Sequence, residues 1–421
     1  MTCPAVTSLT TGAWATAEVV IDSSAQQNSK KALMPPKGAS YSPEVGPIFS
    51  LSIHADYQCG HSGVCCTSDW DVAVEVPIYR TLNEAMTAGR LVAPAIPAGG
   101  SVFIKEDLPH AAGAMVSRTS EGDCVFYHRH SGLCAVHRDM GEALLPSTCR
   151  HFPRVAVRDR RGTFISLTHY CPTAASMLFR DDVALEIVES PRAFPPGAYD
   201  GLVVDPEAWP PLLHPQMLMD LEAYSAWERH MVRRCANPSA SPESVIATLT
   251  RDARLLRAYT PGTRSLLDAI AALPRDIVDA AAPRSLDESL ALFAGVIAAV
   301  PDEYTPPPDE QMLPEAFALH VAPEWAAWRA PLNRYLAAKA FASWTAYQGR
   351  GLLTIIRGLE AALGLVRVEA ARQCRDTNRP LDAGLLREAF RNADFLLNHL
   401  AAGEELAAGW SKAEELHMAG A

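Results

Sequence analysis

The chain has 421 residues, 48% of them hydrophobic and 20% charged, with a formal net charge of −11. That length suggests two or three domains at roughly 150 residues each, and the balance is globular rather than disordered or fibrous. No apolar run approaches the ~20 residues of a membrane-spanning helix. An acidic chain also lacks the basic surface on which broad nucleic-acid binding rests, so neither membrane nor nucleic acid is an expected partner.

Residues 1–45 are rich in Ser, Thr, Ala, Gly and Pro and read as a flexible N-terminal arm, in which Cys3 is incidental. Met1 to Ala15 carry no Lys or Arg and no sustained apolar core, so no secretory signal is read. The expected compartment is the reducing cytoplasm, where clustered cysteines bind metal or do chemistry rather than form disulfides. Residues 46–190 show short apolar runs broken by Gly, Pro and Cys, such as Val72–Val76, Ser101–Ile104 and Thr163–Leu167. These read as short strands or loop cores in a loop-rich module that buries too little apolar surface to offset chain entropy without a metal. Residues 191–213, with Pro191, Pro195, Pro196, Pro206, Pro210 and Pro211, read as a linker.

Residues 214–421 are Ala/Leu-rich with helical periodicity. Ser241-Pro242 is an N-cap followed by proline at the first helical position, and Val245, Leu249, Ala253 and Leu256 follow on one face. Ser285-x-x-Glu288 has the form of a capping box. Leu386, Phe390, Ala393 and Leu397 form an amphipathic stripe. No internal repeat is present, which argues against a solenoid. The expected fold class is mixed and mainly α: a small loop-rich cysteine module with short strands, followed by an irregular α-helical domain.

Seven of the ten cysteines, Cys59, Cys65, Cys66, Cys124, Cys134, Cys149 and Cys171, fall within 113 residues, where a uniform spread would place roughly three. Residues 54–171 also hold eight of the thirteen histidines. Thiolates suit zinc, Cu(I) and iron–sulfur clusters. Glycines beside ligands let the backbone turn sharply and aim N–H groups at sulfur. The seven are therefore read as metal ligands, and Cys235 and Cys374, in helical patterns, as core thiols. Adjacent Cys65 and Cys66 are expected to point apart and to fit a polynuclear cluster better than one tetrahedral ion. His61, His128, His137, His151 and His169 lie near these ligands as supporting residues. Trp70, Tyr127 and Tyr170 are the nearest aromatic candidates, read as packing.

On these residues the chain resembles the bacterial cysteine-cluster family (YkgJ-type zinc- or iron-chelating proteins), whose pattern is C-x-x-C-x-x-C-C, C-P/V-F, G-x-C-x-I/V and C-R-x-F/Y-P. Cys59-Gly60-His61-Ser62-Gly63-Val64-Cys65-Cys66, Cys124-Val125-Phe126, Gly132-Leu133-Cys134-Ala135-Val136 and Cys149-Arg150-His151-Phe152-Pro153 carry the likeness. Within the family it is most similar to the flagellin lysine N-methylases, through Trp70-Asp71-Val72, Thr148–Arg154 and Cys171-Pro172-x-Ala174-Ala175, and more weakly through Asn333-Arg334-Tyr335-Leu336. Ser62 stands where the pattern has its second cysteine. Seven ligands divide as one complete cluster and one three-cysteine cluster with an open iron, or as a single four-cysteine cluster with three spare thiols.

The resemblance implies one or two iron–sulfur clusters, 4Fe–4S in type, with zinc as the alternative. It also implies methyl transfer from S-adenosylmethionine to lysine side chains of a flagellin-like protein or peptide substrate. The sequence shows no strand–Gly-x-Gly–helix unit of an ordinary methyltransferase and no C-x-x-x-C-x-x-C triplet. The alternatives are a non-catalytic zinc- or iron-binding protein with a helical interaction domain, or an iron-dependent peptide-modifying enzyme.

Overall fold

The computed structural model describes residues 46–419 except 69, 97–98, 110–111, 196–198, 200, 206–207 and 301–311. The N-terminal arm, with its Cys3, lies outside the described residues. The protein is mixed and mainly helical, about 49% helix and 12% strand. Among the described residues no helix is long and apolar enough to cross a membrane.

Two compact units are present: one contains residues 65–150, and the other combines 44–64 with 151–421. The division runs inside the stretch 46–190, read from sequence as one module. Strand pairing is the reason. Strand β1 (Ile48–Leu51) lies parallel to a strand more than a hundred residues later, Ile48 opposite Thr163, so the chain enters the larger unit, leaves it for residues 65–150, and returns.

The smaller unit holds β2 (Ala73–Glu75), β3 (Phe103–Ile104) and β4 (Ala112–Val116) as an antiparallel sheet in the order β2-β4-β3. A separate two-stranded ribbon joins β5 (Tyr127–His128) to β6 (Leu133–Cys134). Its helices are α1 (Val76–Thr87), with Pro77 in the first turn, α2 (Ala135–Met140), and α3 (Ser147–His151), which ends at the unit boundary. Gly141, at φ +86°, follows α2, a backbone state that glycine adopts without steric cost. The single core of this unit includes Val74, Leu82, Ala114, Phe126 and Val136.

In the larger unit β7 (Arg154–Asp159), β8 (Gly162–Leu167), β9 (Ile187–Glu189) and β10 (Gly201–Val203) join β1 in a five-stranded sheet, β10-β7-β8-β1-β9. Strand β10 lies within the stretch read as a linker. It pairs with β7, Gly201 opposite Ala156, and Phe194 beside it is 1% exposed. An edge strand tolerates flanking prolines because one side of its ladder needs no donor. A hairpin of β11 (Leu212–His214) and β12 (Met217–Leu218) follows.

The helices of this unit are α4 (Pro172–Met177), α5 (Leu221–Cys235), α6 (Pro242–Arg257), α7 (Leu266–Ala271), α8 (Asp287–Ile297), α9 (Leu313–Ala316), α10 (Arg329–Ala340), α11 (Thr345–Gln348), α12 (Leu352–Thr377), α13 (Ala383–Phe395) and α14 (Gly403–Ala419). Ser241 caps α6 by accepting from the Ser244 N–H, as its position predicts. The expected capping box at Ser285 does not form: α8 starts behind Leu286, which has no side-chain oxygen to offer. Asp287 and Glu288 in its first turn still complement the helix dipole. Helix α12 is buried along most of its length, including Arg367, Glu369 and Arg372, the pattern of a helix enclosed on all sides. Gly364 lets α8 approach it, since a Cβ there would sit 2.9 Å from Leu292. Cys235 and Cys374 are fully enclosed core thiols on α5 and α12.

Candidate metal centre

Five of the seven predicted ligands, Cys65, Cys66, Cys124, Cys134 and Cys149, lie in the smaller unit, and the other two, Cys59 and Cys171, in the larger. No disulfide is present among the described residues.

In the smaller unit every cysteine belongs to the core or packs against it. Cys66 and Cys124 are members, and Cys65, Cys134 and Cys149 are half-buried against its edge. Chain pairing brings them there. The Cys124 N–H donates to the Cys66 carbonyl at 2.8 Å, the Arg118 guanidinium donates to that same carbonyl, and Tyr127 stands opposite Cys134 across the ribbon. The Cys65 and Cys66 sulfurs are 3.9 Å apart. The expectation that adjacent cysteines point apart is therefore not met in the short 3-10 turn Val64–Cys66, and divergence gives no reason to prefer a polynuclear centre. Tetrahedral thiolates at about 2.3 Å from a zinc ion would lie roughly 3.8 Å apart.

The electrostatics divide the thiols. Cys66 hydrogen-bonds with both Cys134 and Cys65, and these bonds, with burial, raise its own pKa. The bond with Cys66 lowers Cys65. The same kind of bond, helped by N–H groups of His137 and Val136 at the start of α2, lowers Cys134 to about 7. Hydrogen bonding around Cys66 thus favours the thiolate, the state that binds metal, at Cys65 and Cys134. Burial pushes Cys124 up to about 11, against an N–H bond from Phe126. Burial, and then the nearby Cys65, raise Cys149.

Backbone N–H groups two or three residues on thus point at the sulfurs of Cys124 and Cys134, and in the larger unit the His61 N–H points at Cys59 at 3.4 Å. Such bonds favour the thiolate. They recur beside glycines that turn the chain, Gly122, Gly132 and Gly63, all at positive φ. The donor set and its N–H bonds fit a thiophilic metal by their chemistry. Among the described residues no three His, Cys, Asp or Glu side chains are already grouped around one metal-sized point.

In the larger unit Cys171 precedes α4 and is 4% exposed, and Cys59 is exposed in the loop after β1. The hydroxyl of buried Tyr57 lies 3.8 Å from the Cys171 sulfur. Burial raises the Tyr57 pKa, and Cys171 and Cys59 raise it further. Gly60 packs on Thr173 of α4 so closely that a Cβ would fall 2.5 Å from its hydroxyl.

Comparison with family models, curated proteins and solved structures finds no match.

Of the histidines expected beside the ligands, His61 and His137 turn backbone N–H groups toward the Cys59 and Cys134 sulfurs. His128 bonds Ser131 at 2.8 Å, and the His151 ring packs near Tyr199. Tyr127 is buried in the small core, and Tyr170 packs on Phe395. His169 belongs to a constellation that the sequence did not disclose. It is fully buried, its Nδ1 lies 3.1 Å from Asp394 of α13, and its Nε2 lies 3.4 Å from the Nε2 of buried His54. Tyr335 of α10 donates to Asp394 at 2.8 Å, and Lys339 pairs with the same carboxylate. Against the cost of burial, Lys339 and His169 hold Asp394 well below the usual carboxylate range. Burial lowers His54 and His169, against the pull of Asp394, and so favours the neutral form of both rings. With Nδ1–H donated to Asp394, the His169 Nε2 accepts and the His54 Nε2–H donates, which leaves His54 Nδ1 an acceptor without a partner. These residues come from four distant segments. The only signal in the sequence is that His169 lies two residues before Cys171 and Tyr335 within Asn333–Leu336.

A groove of about 1420 Å³ also opens between α6, α8 and α12, lined by Leu255, Arg254, Arg284, Leu292, Arg357 and Leu363 among others. It exceeds the usual small-ligand range of roughly 300–1,000 Å³.

Proposed function

We infer that the chain is a metal-cluster protein, with iron–sulfur as the first reading of the metal, that supports methyl transfer from S-adenosylmethionine to lysine side chains of a flagellin-like protein or peptide. The observation that carries the metal reading is the gathering of five cysteines on the one small core of residues 65–150, with backbone N–H groups aimed at sulfur. Cys65, Cys66, Cys124, Cys134 and Cys149 would hold the centre, and the bound metal would supply folding energy to a unit with little apolar core. The methyl-transfer reading rests on the resemblance of the cysteine motifs to the flagellin lysine N-methylases. Its chemistry requires a neutral lysine amine in line with a sulfonium methyl group, which desolvation of the amine favours. A reducing cytoplasm is the compartment this reading implies.

A non-catalytic zinc centre is the second reading, favoured by the 3.9 Å Cys65–Cys66 separation. Metal analysis with anaerobic absorption and EPR spectra separates the two. Iron with acid-labile sulfide and a visible chromophore supports the first, and zinc without absorbance supports the second. Incubation of the loaded protein with S-adenosylmethionine and flagellin then tests the activity by mass spectrometry. No gain of a methyl group on any lysine of flagellin or of other candidate substrates would remove the methyl-transfer reading and leave the metal reading standing.

A further inference from the structure

We propose that Arg118 is a positioning residue of the metal centre in residues 65–150. Its Nη2 donates an N–H to a sulfur of the bound centre, and the guanidinium thereby sets the potential and spectrum of the metal. The inference rests on the metal reading above and stays within the unit that holds the five cysteines of that reading. Its ground is a guanidinium with one arm fixed and the other buried without a partner.

Arg118 follows β4 and stands opposite Cys124 in an antiparallel bridge. Its Nη1 donates to the Cys66 carbonyl at 3.4 Å and to the Gly122 carbonyl at 3.3 Å. This arm ties the turn that carries Cys65 and Cys66 to the loop that enters Cys124, at the same carbonyl that accepts from the Cys124 N–H. The loop is closed on itself, since the Thr119 hydroxyl accepts from the N–H groups of Glu121 and Asp123. The other arm differs. Among the described residues the Arg118 Nη2 is buried with no hydrogen-bond partner. The carboxylate of Asp123, next to Cys124, is already paired with Arg129. A buried N–H of a cation is costly without an acceptor, and an anion is the acceptor that best offsets the cost.

The sulfurs of this unit supply that charge. Cys65, Cys124 and Cys149 all feel Arg118, each behind a larger influence: the bond with Cys66 at Cys65, and burial at the other two. Three of the five ligands are thus within electrostatic reach of one guanidinium. Thiolates gathered on a metal carry net negative charge, and a fixed cation offsets it more strongly in a dry interior than in water. Reduction adds negative charge, so the same cation favours the reduced state and raises the potential. An N–H bond to a ligating sulfur also draws electron density from it and weakens its donation to metal. Lysine keeps the charge but lacks the planar fork that lets one arm hold the carbonyls while the other meets the sulfur.

The test uses the full chain, reconstituted anaerobically with iron and sulfide and, in parallel, with cobalt(II) alone. At unchanged metal content, Arg118→Met should make the reduction potential of the iron form more negative and move the sulfur-to-cobalt charge-transfer band to longer wavelength. Arg118→Lys should restore most of the potential, which follows the charge, and less of the band, which follows the bond at Nη2. Should Arg118→Met fail to fold, Arg118→Gln, which removes the charge and keeps an N–H donor, carries the same expected shifts. A potential and a band unmoved in the uncharged variant overturn the role of Arg118 and leave the metal reading standing. So does a loss of metal that Arg118→Lys restores with an unaltered band, because Arg118 would then only clamp the two carbonyls. Failure of the unmodified chain to bind metal in either reconstitution overturns both.

Discussion

The larger unit closes its core with Trp227, Tyr335, Phe341 and Phe390, each at most 1% exposed, around the enclosed helix α12. The core of residues 65–150 has no comparable anchor: its largest members are Phe103, Phe126 and Tyr127, and two of its members are cysteines. Elements differ in the same way. Among the described residues the larger unit has helices of up to 26 residues, whereas helices in the smaller one run to 12 at most. One region is stabilised by apolar burial, which grows with size. The other has a smaller apolar core, in which the cysteines proposed as metal ligands take places that could hold Leu or Ile. Ligand loss and core truncation should therefore have different effects in the two units.

The largest expected effect is that of Cys66→Ala. Structural metal contributes on the order of 10 kcal/mol, comparable to the whole stability of a domain. The variant should lose bound metal, and limited proteolysis should open residues 65–150 first while the larger unit stays resistant. Intact protection of 65–150 in the metal-free variant would show that this unit needs no ligation.

Phe390→Ala tests the other side of the comparison. Phe390 is fully buried with its ring 4.8 Å from Tyr335, and truncation should cost about 3–5 kcal/mol in denaturant titrations. Metal content should not change, and a loss of metal here would mean that the two units do not stand on separate terms.

Acid should weaken the larger unit selectively. Burial lowers His399 to about 4 and lowers His54 and His169 as well, whereas unfolded imidazoles take up protons below about 6.5. The unfolded state then binds more protons, so stability falls as pH drops from about 6.5 toward 4, by up to about 1.4 kcal/mol per pH unit for each ring, and is flat above that window. Denaturant midpoints measured across the range should show this slope, and His399→Gln should reduce it by one proton.

Within the smaller unit the thiols themselves should differ. In metal-free protein near neutral pH, Cys134, lowered to about 7, should be alkylated at least roughly tenfold faster than Cys124, raised to about 11. Peptide mapping after brief iodoacetamide treatment reads the ratio, and equal rates would remove the asymmetry described around Cys66. The smallest effect belongs to Cys374→Ala, a buried helical thiol, which should cost about 1 kcal/mol and leave metal content unchanged.

How far the sequence disclosed this arrangement depended on the range of each interaction. The Ser241 cap and the Leu386, Phe390, Ala393 and Leu397 stripe are local, and the structure forms both. The short apolar run Thr163–Leu167, read as a strand or loop core, forms a strand buried along its whole length. The cysteine grouping was visible as composition, but not its division between units, because that follows from the pairing of Ile48 with Thr163. Strand β10 was hidden by its prolines. The His54–His169–Asp394 chain joins residues 115 and 225 positions apart, and no periodicity encodes such a meeting. Ser285 misled because a capping motif specifies only a possible start, and α8 begins behind Leu286.

Gly60 gives the motif around Cys59 an unexpected point of rigidity. Its Cα rests against the Thr173 hydroxyl with less clearance than a methyl group needs. The reach of the Cys59 loop toward α4 is therefore a matter of fit, set by a residue with no side chain at all. Exchanging a cysteine for another donor would alter the chemistry of the site and leave its dimensions intact. Exchanging this glycine would leave every donor in place and change the dimensions. The position that looks most dispensable in the motif is thus one where any side chain must displace the Thr173 hydroxyl.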